Sequence, residues 1–244
     1  MLPIKISLVS LGALKHPVNV SLLEGWQSRV FKLHHDASVG HLPDADGDDW
    51  QYTDACLRGV LQQDPDADFT LGIINVPLEG NFYLKRLTDK TGVLSLYEMA
   101  EIVLYSEFTL EQYILRNIYE LSVLFAANGK LIPSDYGSWA HDEVRGCLFD
   151  MNSSKSDILF SMHRPKLCPA CKTRIAAKQV PAELFSALEQ ELPRIKKALF
   201  SRMTEWVKLH PIFALLIASA SAVLLNIVAS FIYEKAKRIY PWLG

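Results

Sequence analysis

The sequence predicts an α+β body, a mixed sheet with helices packed on it, followed by one apolar helix long enough to cross a membrane. Three observations carry this. Apolar runs of strand length recur at Ile4–Val9, around Phe31–Leu33 and at Phe69–Val76, and stretches of helical period alternate with them. The run Pro211–Tyr233 contains no charged residue. Between the two, three of the four cysteines and a histidine are spaced as metal ligands. Half of the 244 residues are hydrophobic and 21% are charged, so a folded core is expected rather than a disordered or fibrous chain.

The first element, Ile4–Val9, alternates at Ile4, Ile6 and Leu8 and lacks a basic leader, so it reads as a strand and not as a signal peptide. His34-His35-Asp36 is a run on a strand or turn; neighbouring histidines on a strand point to opposite faces and cannot chelate together. Asp44–Trp50 is an acidic loop that resembles a calcium-binding segment in composition. It lacks the closing glutamate and flanking helices of an EF-hand and reads as a solvated turn. Trp50–Gln63 reads as a helix packing through Ala55, Leu57, Val60 and Leu61. Thr109–Ala127 is the clearest helix: Thr109 and Gln112 have capping-box spacing, and Ile114, Ile118, Leu121 and Phe125 form one apolar face. Asn128-Gly129 stops it, and Lys130–Ala140 is a looser stretch.

The expected organisation is a body over residues 1–176, an amphipathic helical connector over 177–210, a membrane helix over 211–233 and a short basic tail over 234–244. Leu184, Leu188, Leu192, Ile195, Leu199 and Met203 give the connector one stripe, which Pro193 breaks or kinks. It lies either at the lipid headgroups through its basic face or packed on the body. At 1.5 Å per residue the membrane run makes about 34 Å of helix, enough for a hydrocarbon core of about 30 Å; a buried core helix is the alternative. Within it Ala214, Ala218, Ala222, Asn226 and Ser230 recur at four-residue spacing, a small and polar stripe that predicts self-association of the helix.

Charge is uneven beneath a net of −2. Arg194, Lys196, Lys197, Arg202 and Lys208 stand before the membrane run against Glu205, and Lys235, Lys237 and Arg238 after it against Glu234. The first 193 residues are therefore acidic, which argues against nucleic acid as a partner. Cations on both sides favour a cytoplasmic body only weakly; the expected thiolate ligands favour it further. The partners implied are a lipid bilayer and further copies of the same chain.

Cys168-Pro-Ala-Cys171 is a C-x-x-C knuckle, with Cys147 and His141 upstream. Such a turn sets two thiolates on one side of an ion, and Cys147 and His141 complete a tetrahedral set for one structural zinc, with Asp142 an alternative fourth ligand. A thioredoxin-like redox pair leaves Cys147 unexplained; free thiols in the core are the other alternative. His163 lies near enough in sequence to support the site.

Four stretches in order resemble the archaemetzincins, a family of zinc metalloprotease-like proteins. They are Gln51-Tyr52 with Ala55–Leu61; Leu71-Gly-Ile-Ile-Asn-Val-Pro-Leu78; Gly92-Val-Leu-Ser-Leu96; and Cys147-Leu-Phe-Asp-Met151 with Lys155, Asp157 and Cys168-Pro-Ala-Cys171. The resemblance covers roughly residues 4–175 and implies a metzincin-type mixed sheet. It also implies an active-site helix of the form H-E-x-x-H-x-x-G-x-x-H, whose histidines hold a zinc beside a glutamate base. Here Tyr119 and Val123 replace the two histidines, and only Glu120 matches. The family's third histidine falls at His141 and its first tail cysteine at Asp142.

The reading that follows is a non-catalytic, membrane-anchored, zinc-binding module that senses a peptide or small ligand in its cleft. By architectural analogy it is a membrane effector of a bacterial defence or stress system. The alternatives are an active metalloprotease with a rearranged site built from His141, Glu120 and Asp142, and a membrane scaffold that docks a partner protein.

Overall fold

The structure, a computed structural model, describes residues 2–35, 38–133, 135, 139–197 and 199–239. Contacts divide the chain into two units, Met1–Lys197 and Ala198–Gly244. The first holds a five-stranded sheet in the order β2-β1-β3-β5-β4. Its strands are β1 (Ile4–Leu11), β2 (Phe31–His35), β3 (Phe69–Ile74), β4 (Leu84–Arg86) and β5 (Thr91–Ser95). The first three and β5 run parallel, with Ile6 opposite both Leu33 and Phe69, while β4 pairs antiparallel to β5. The mixed sheet expected from the sequence is thus present. β3 and β5 are buried along their whole length because apolar residues cover both faces of the sheet, as parallel sheets require. β4, with Lys85 between Leu84 and Arg86, has no apolar run to announce it.

One face of the sheet carries α2 (Asp54–Val60) with Leu57, Leu61, Val9, Leu11, Ile74 and Val93. Gly72 on β3 lets this layer close: a Cβ there would stand 2.7 Å from Leu11 Cδ1 and 3.2 Å from Leu61 Cδ2. The helix expected over Trp50–Gln63 is shorter than that. Thr53 caps it by accepting from the Cys56 amide, Trp50 is exposed, and Ala55 faces solvent rather than the core. The acidic loop is a turn, in which the Asp46 carboxylate accepts from the Thr53 amide at 2.9 Å and from its hydroxyl.

The other face is organised by α4 (Leu110–Ala127). Its capping box is formed: the Gln112 amide donates to Thr109 Oγ1 at 3.3 Å, and the Thr109 amide donates to Gln112 Oε1 at 2.9 Å. The single apolar face expected is an underestimate, because nearly every residue of α4 is buried. Phe125 meets Phe69 of β3 and Tyr119 meets Phe31 of β2. Around the rest of the helix stand α1 (Val20–Glu24), α3 (Met99–Tyr105) and α5 (Ile158–His163).

After α6 (Pro169–Ala176) comes α7 (Ala182–Glu191), which buries Leu184, Ala187 and Leu188 in the same core; a 3₁₀ turn at Leu192–Arg194 then accommodates Pro193. Residues 177–197, expected in the connector, therefore pack with the body. Leu199 and Met203, expected on the same stripe, are exposed on α8 (Leu199–Leu209) of the second unit. That unit continues as α9 (Pro211–Ile239), whose stretch Pro211–Lys235 is long and apolar enough to cross a membrane and has none of its most apolar window buried. The helix runs past Tyr233 into the expected tail; residues 240–244 lie outside the described residues, as do Asp36 and the side chain of His35.

Candidate metal centre and the neighbouring cavity

Each ligand of the cysteine site is carried by a segment fixed by its own backbone. Cys168 caps α6, its Sγ accepting from the Cys171 amide at 3.5 Å, with Pro169 in the first helical turn where no amide is needed. Cys147 is held by a bridge to Lys166, through the Leu148 amide to the Lys166 carbonyl at 2.9 Å. His141 is bridged to Asp150: its amide donates to the Phe149 carbonyl and its carbonyl accepts from Met151. Gly146 turns the chain before Cys147 at a φ of +73°, where a Cβ would also press on the Phe160 carbonyl. The donor atoms of His141, Cys147, Cys168 and Cys171 lie within 4.8 Å of one another, and the three cysteines are buried. No disulfide joins these cysteines.

The donor set fits zinc. Three thiolates and an imidazole are the soft and borderline donors of a closed structural site. His141 Nδ1 sits 3.0 Å from the Glu143 carbonyl, which assigns the proton there and leaves Nε2, 3.6 Å from Cys168 Sγ, with its lone pair for an ion. Two further groups offset the anionic charge of three thiolates on a divalent ion. The Cys168 amide donates to Cys147 Sγ at 3.4 Å, and Arg174 donates to Cys171 Sγ at 3.1 Å. Without an ion, the Cys147 thiol is pushed far up by its hydrogen bond to Cys171 and by burial; the same bond pulls Cys171 down, with help from Arg174 against burial. The hydrogen bond between the two sulfurs accounts for the opposite directions, and zinc held by both would require both as thiolates. Asp142, the alternative fourth ligand, is exposed and is not among the clustered donors. His163 stacks edge-on against Phe108, ring centres 5.0 Å apart, because α5 turns it to that side. His34 Nε2 lies 2.7 Å from Asp64 Oδ2.

On α4 the three positions of interest have different fates. Val123 is fully buried in the core. Tyr119 donates its hydroxyl to Glu191 Oε2 at 2.8 Å and accepts from Trp26 Nε1 at 3.0 Å; burial above all pushes its pKa up. Glu191 also accepts from Ser28 Oγ and the Arg29 amide, so Tyr119 joins α4 to α7 and to the loop before β2. Glu120 is ion-paired to Arg116 one turn earlier on α4, and Arg86 of β4 stands 3.8 Å away. Arg116 is completely buried and also donates to Ser161 Oγ of α5 at 3.0 Å and to the Leu148 carbonyl at 2.7 Å. Burial disfavours its charge, but Glu120 and Tyr83 more than offset that and hold it protonated. It therefore ties the Glu120 turn to the cysteine segment. Among the described residues the group able to hold a metal is the cysteine cluster, and neither Glu120 nor Asp142 belongs to it.

Glu120 and Arg86 line a cavity of about 330 Å³ together with Tyr83, Trp139, Phe149, Asp150 and Asn152. The Asp150 Oδ2 atom caps the ligand loop, accepting from the Arg145 amide at 2.9 Å and the Cys147 amide at 3.0 Å. Sequence reasoning missed Arg86, Arg116 and Asn152, and takes in Asp150 only within the stretch Cys147–Met151, without giving it a role. Only Arg116 left a signal, its four-residue spacing from Glu120.

No protein-family model matches the chain, and no curated protein does. Among solved structures it is similar to the crystal structure of archaemetzincin from Methanopyrus kandleri, with 17% sequence identity and a TM-score of 0.46. That likeness covers 72% of this chain and 96% of the other.

Proposed function

We propose that this chain is a non-catalytic zinc protein of metzincin-like build, held at a membrane by α9, whose body binds a peptide or small ligand in the cavity beside Glu120. What supports this reading is the engagement of Glu120 by Arg116 and Arg86, with Tyr119 and Val123 on either side of it given to the core. Metal-assisted hydrolysis needs an open metal position and a base facing its water. A carboxylate held by two guanidiniums, on a helix without neighbouring imidazoles, supplies neither. At the cysteine corner His141, Cys147, Cys168 and Cys171 would hold zinc with four protein ligands and fasten the segment after α4 to α6, a structural role.

In this reading α9 self-associates through Ala214, Ala218, Ala222, Asn226 and Ser230, and clustering turns ligand occupancy into a membrane event. The body lies on the cytoplasmic side, where its thiolates stay reduced. An effector of a defence or stress system is the role such an architecture suits by analogy. The test is zinc content per chain, with cleavage of a peptide pool measured with and without chelator. One zinc, lost in Cys168→Ser, and no cleavage are expected; two zincs with chelator-sensitive cleavage would replace this reading by a metalloprotease. Asn226→Leu is expected to reduce crosslinking between chains in membranes while the body stays folded, and unchanged crosslinking would remove the self-association.

A further inference from the structure

The second unit begins with a helix whose two faces differ. On α8, Leu199, Met203, Trp206 and Val207 recur at spacings of three and four, so they share one face, and all four are exposed. Thr204, Glu205 and Lys208 stand on the opposite face, with Arg202 at its edge and Leu209 outside the stripe in the last turn. An apolar face of this kind is unfavourable in water and calls for a cover.

The order of the chain says which surface is nearest. α8 ends at Leu209 and α9 starts at Pro211, the first residue of the apolar stretch Pro211–Lys235. At 1.5 Å per residue, every part of α8 lies within about 18 Å of that boundary along the helix. The joint between the two helices can bend. The His210 amide donates to the Trp206 carbonyl at 2.9 Å and the Ala214 amide to the His210 carbonyl at 3.0 Å, but Pro211 has no N–H for the carbonyl of Val207. Charge then selects the kind of surface. Residues 194–210 carry Arg194, Lys196, Lys197, Arg202 and Lys208 against Glu205. Two such segments repel each other, whereas anionic headgroups attract them. An indole such as that of Trp206 also sits well at headgroup level, where its ring is apolar and its N–H is wet.

We infer that α8 lies along an anionic lipid surface, with Leu199, Met203, Trp206 and Val207 at the boundary between headgroups and acyl chains and Arg202 among the phosphates. The amphipathic face, the basic run and the short joint to α9 are together what an interfacial helix needs. That α9 crosses a bilayer is the proposal on which this rests; what is added is a second membrane contact and the lipid class it takes.

The test uses the full chain in vesicles of equal parts phosphatidylcholine and phosphatidylglycerol, or of phosphatidylcholine alone, with brominated acyl chains as the quencher. Leu199→Trp adds an indole at the far end of α8, and subtracting the parent chain's emission isolates it. On an upright α8 that indole stands about 18 Å from the apolar stretch, out of reach of bromine. At least twofold quenching in the anionic vesicles is expected, markedly less in phosphatidylcholine, and its loss when Met203→Glu puts a charge on the apolar face. An added indole that bromine does not quench, or equal quenching in the two lipids, overturns the inference. So does blue-shifted, unquenched emission that reverts to the aqueous value on dilution into excess lipid, which would assign the face to a second copy of the chain. Alkaline extraction of the same vesicles reads α9 separately: release of the chain removes the span, while the quenching at neutral pH still reads α8.

Discussion

Two helices of this protein are predominantly apolar, and they have opposite surroundings. α4 is buried along nearly all of its length, yet it carries Arg116, Asn117, Glu120 and Ser122 inside the core. α9 has no charge from Pro211 to Tyr233, and its apolar window is wholly exposed. The difference lies in partners. Each buried charge on α4 has a partner from a neighbouring element, Arg116 the Leu148 carbonyl, Glu120 the Arg86 guanidinium and Glu111 the Asn19 amide, so the core can accept it. A helix that crosses a bilayer has no such neighbours, and a charge-free stretch like that of α9 is what such a crossing requires. How much a polar group matters thus depends on whether water or a fixed partner is at hand.

The largest effect should come from breaking the partnership inside α4. Arg116→Met leaves Glu120 buried beside Arg86 alone and cuts the links to Ser161 and Leu148, so the body should lose about 3–5 kcal/mol in urea unfolding. Adding Glu120→Gln should recover part of that loss, because the uncompensated charge is gone. A loss unchanged by the second substitution would mean that packing, and not charge, is what Arg116 supplies.

The next effect applies the same logic to α9. Val223→Arg puts a charge near the middle of the apolar stretch, at a cost of about 2.5–3.5 kcal/mol for insertion into a bilayer. The variant should be released from membranes by alkaline extraction far more readily than the parent chain, with the urea midpoint of the body unmoved. If the midpoint falls instead, α9 is a packing element of the body, and the contrast with α4 collapses.

Tyr119→Phe is a smaller cut of the α4 kind. It removes a hydroxyl that donates to Glu191 and accepts from Trp26, but Glu191 keeps its bonds to Ser28 and Arg29. A loss of about 1 kcal/mol is expected from the half-buried Trp26 donor left without its acceptor. Zinc content should stay the same, since Tyr119 is no ligand.

What could be read in the sequence was whatever is local. The capping box of α4 spans four residues, and the C-x-x-C turn sets two ligands by itself; both are present as expected. Strands β1, β2 and β3 showed as apolar runs. The rest depended on pairing across long stretches of chain. That α4 is buried all round follows from the sheet on one side and α1, α3 and α5 on the others, with Glu191 of α7 bonded to Tyr119, and a wheel of α4 alone contains none of them. Trp50–Gln63 seemed a long helix because its apolar residues recur, whereas Asp46 fixes Thr53 and starts the helix late. The cavity was illegible for the same reason: β4, Glu120 and the loop around Asp150 come from three separate segments.

The smallest effect belongs to a pair that water reaches. Glu101 on α3 accepts from Lys15 at 2.5 Å, and both side chains are more than half exposed. The Lys15 hydrogen bond, above other causes, lowers the Glu101 carboxyl from 4.5 to about 2. A depressed carboxyl pKa stabilises the fold above the unfolded value and ceases to do so as pH falls through the folded one, so the window is roughly pH 4.5 down to 2. With so much solvent around the pair its worth is well under about 1 kcal/mol. Glu101→Gln should therefore shift the body's unfolding midpoint only slightly at pH 7, and not at all near pH 2. The small difference at pH 7 should shrink further in 1 M salt, which changes the Arg116–Glu120 pair much less because it is almost wholly buried. An equal response to salt at the two pairs would mean that burial does not set their value, and the lesson drawn from α4 and α9 would fail with it.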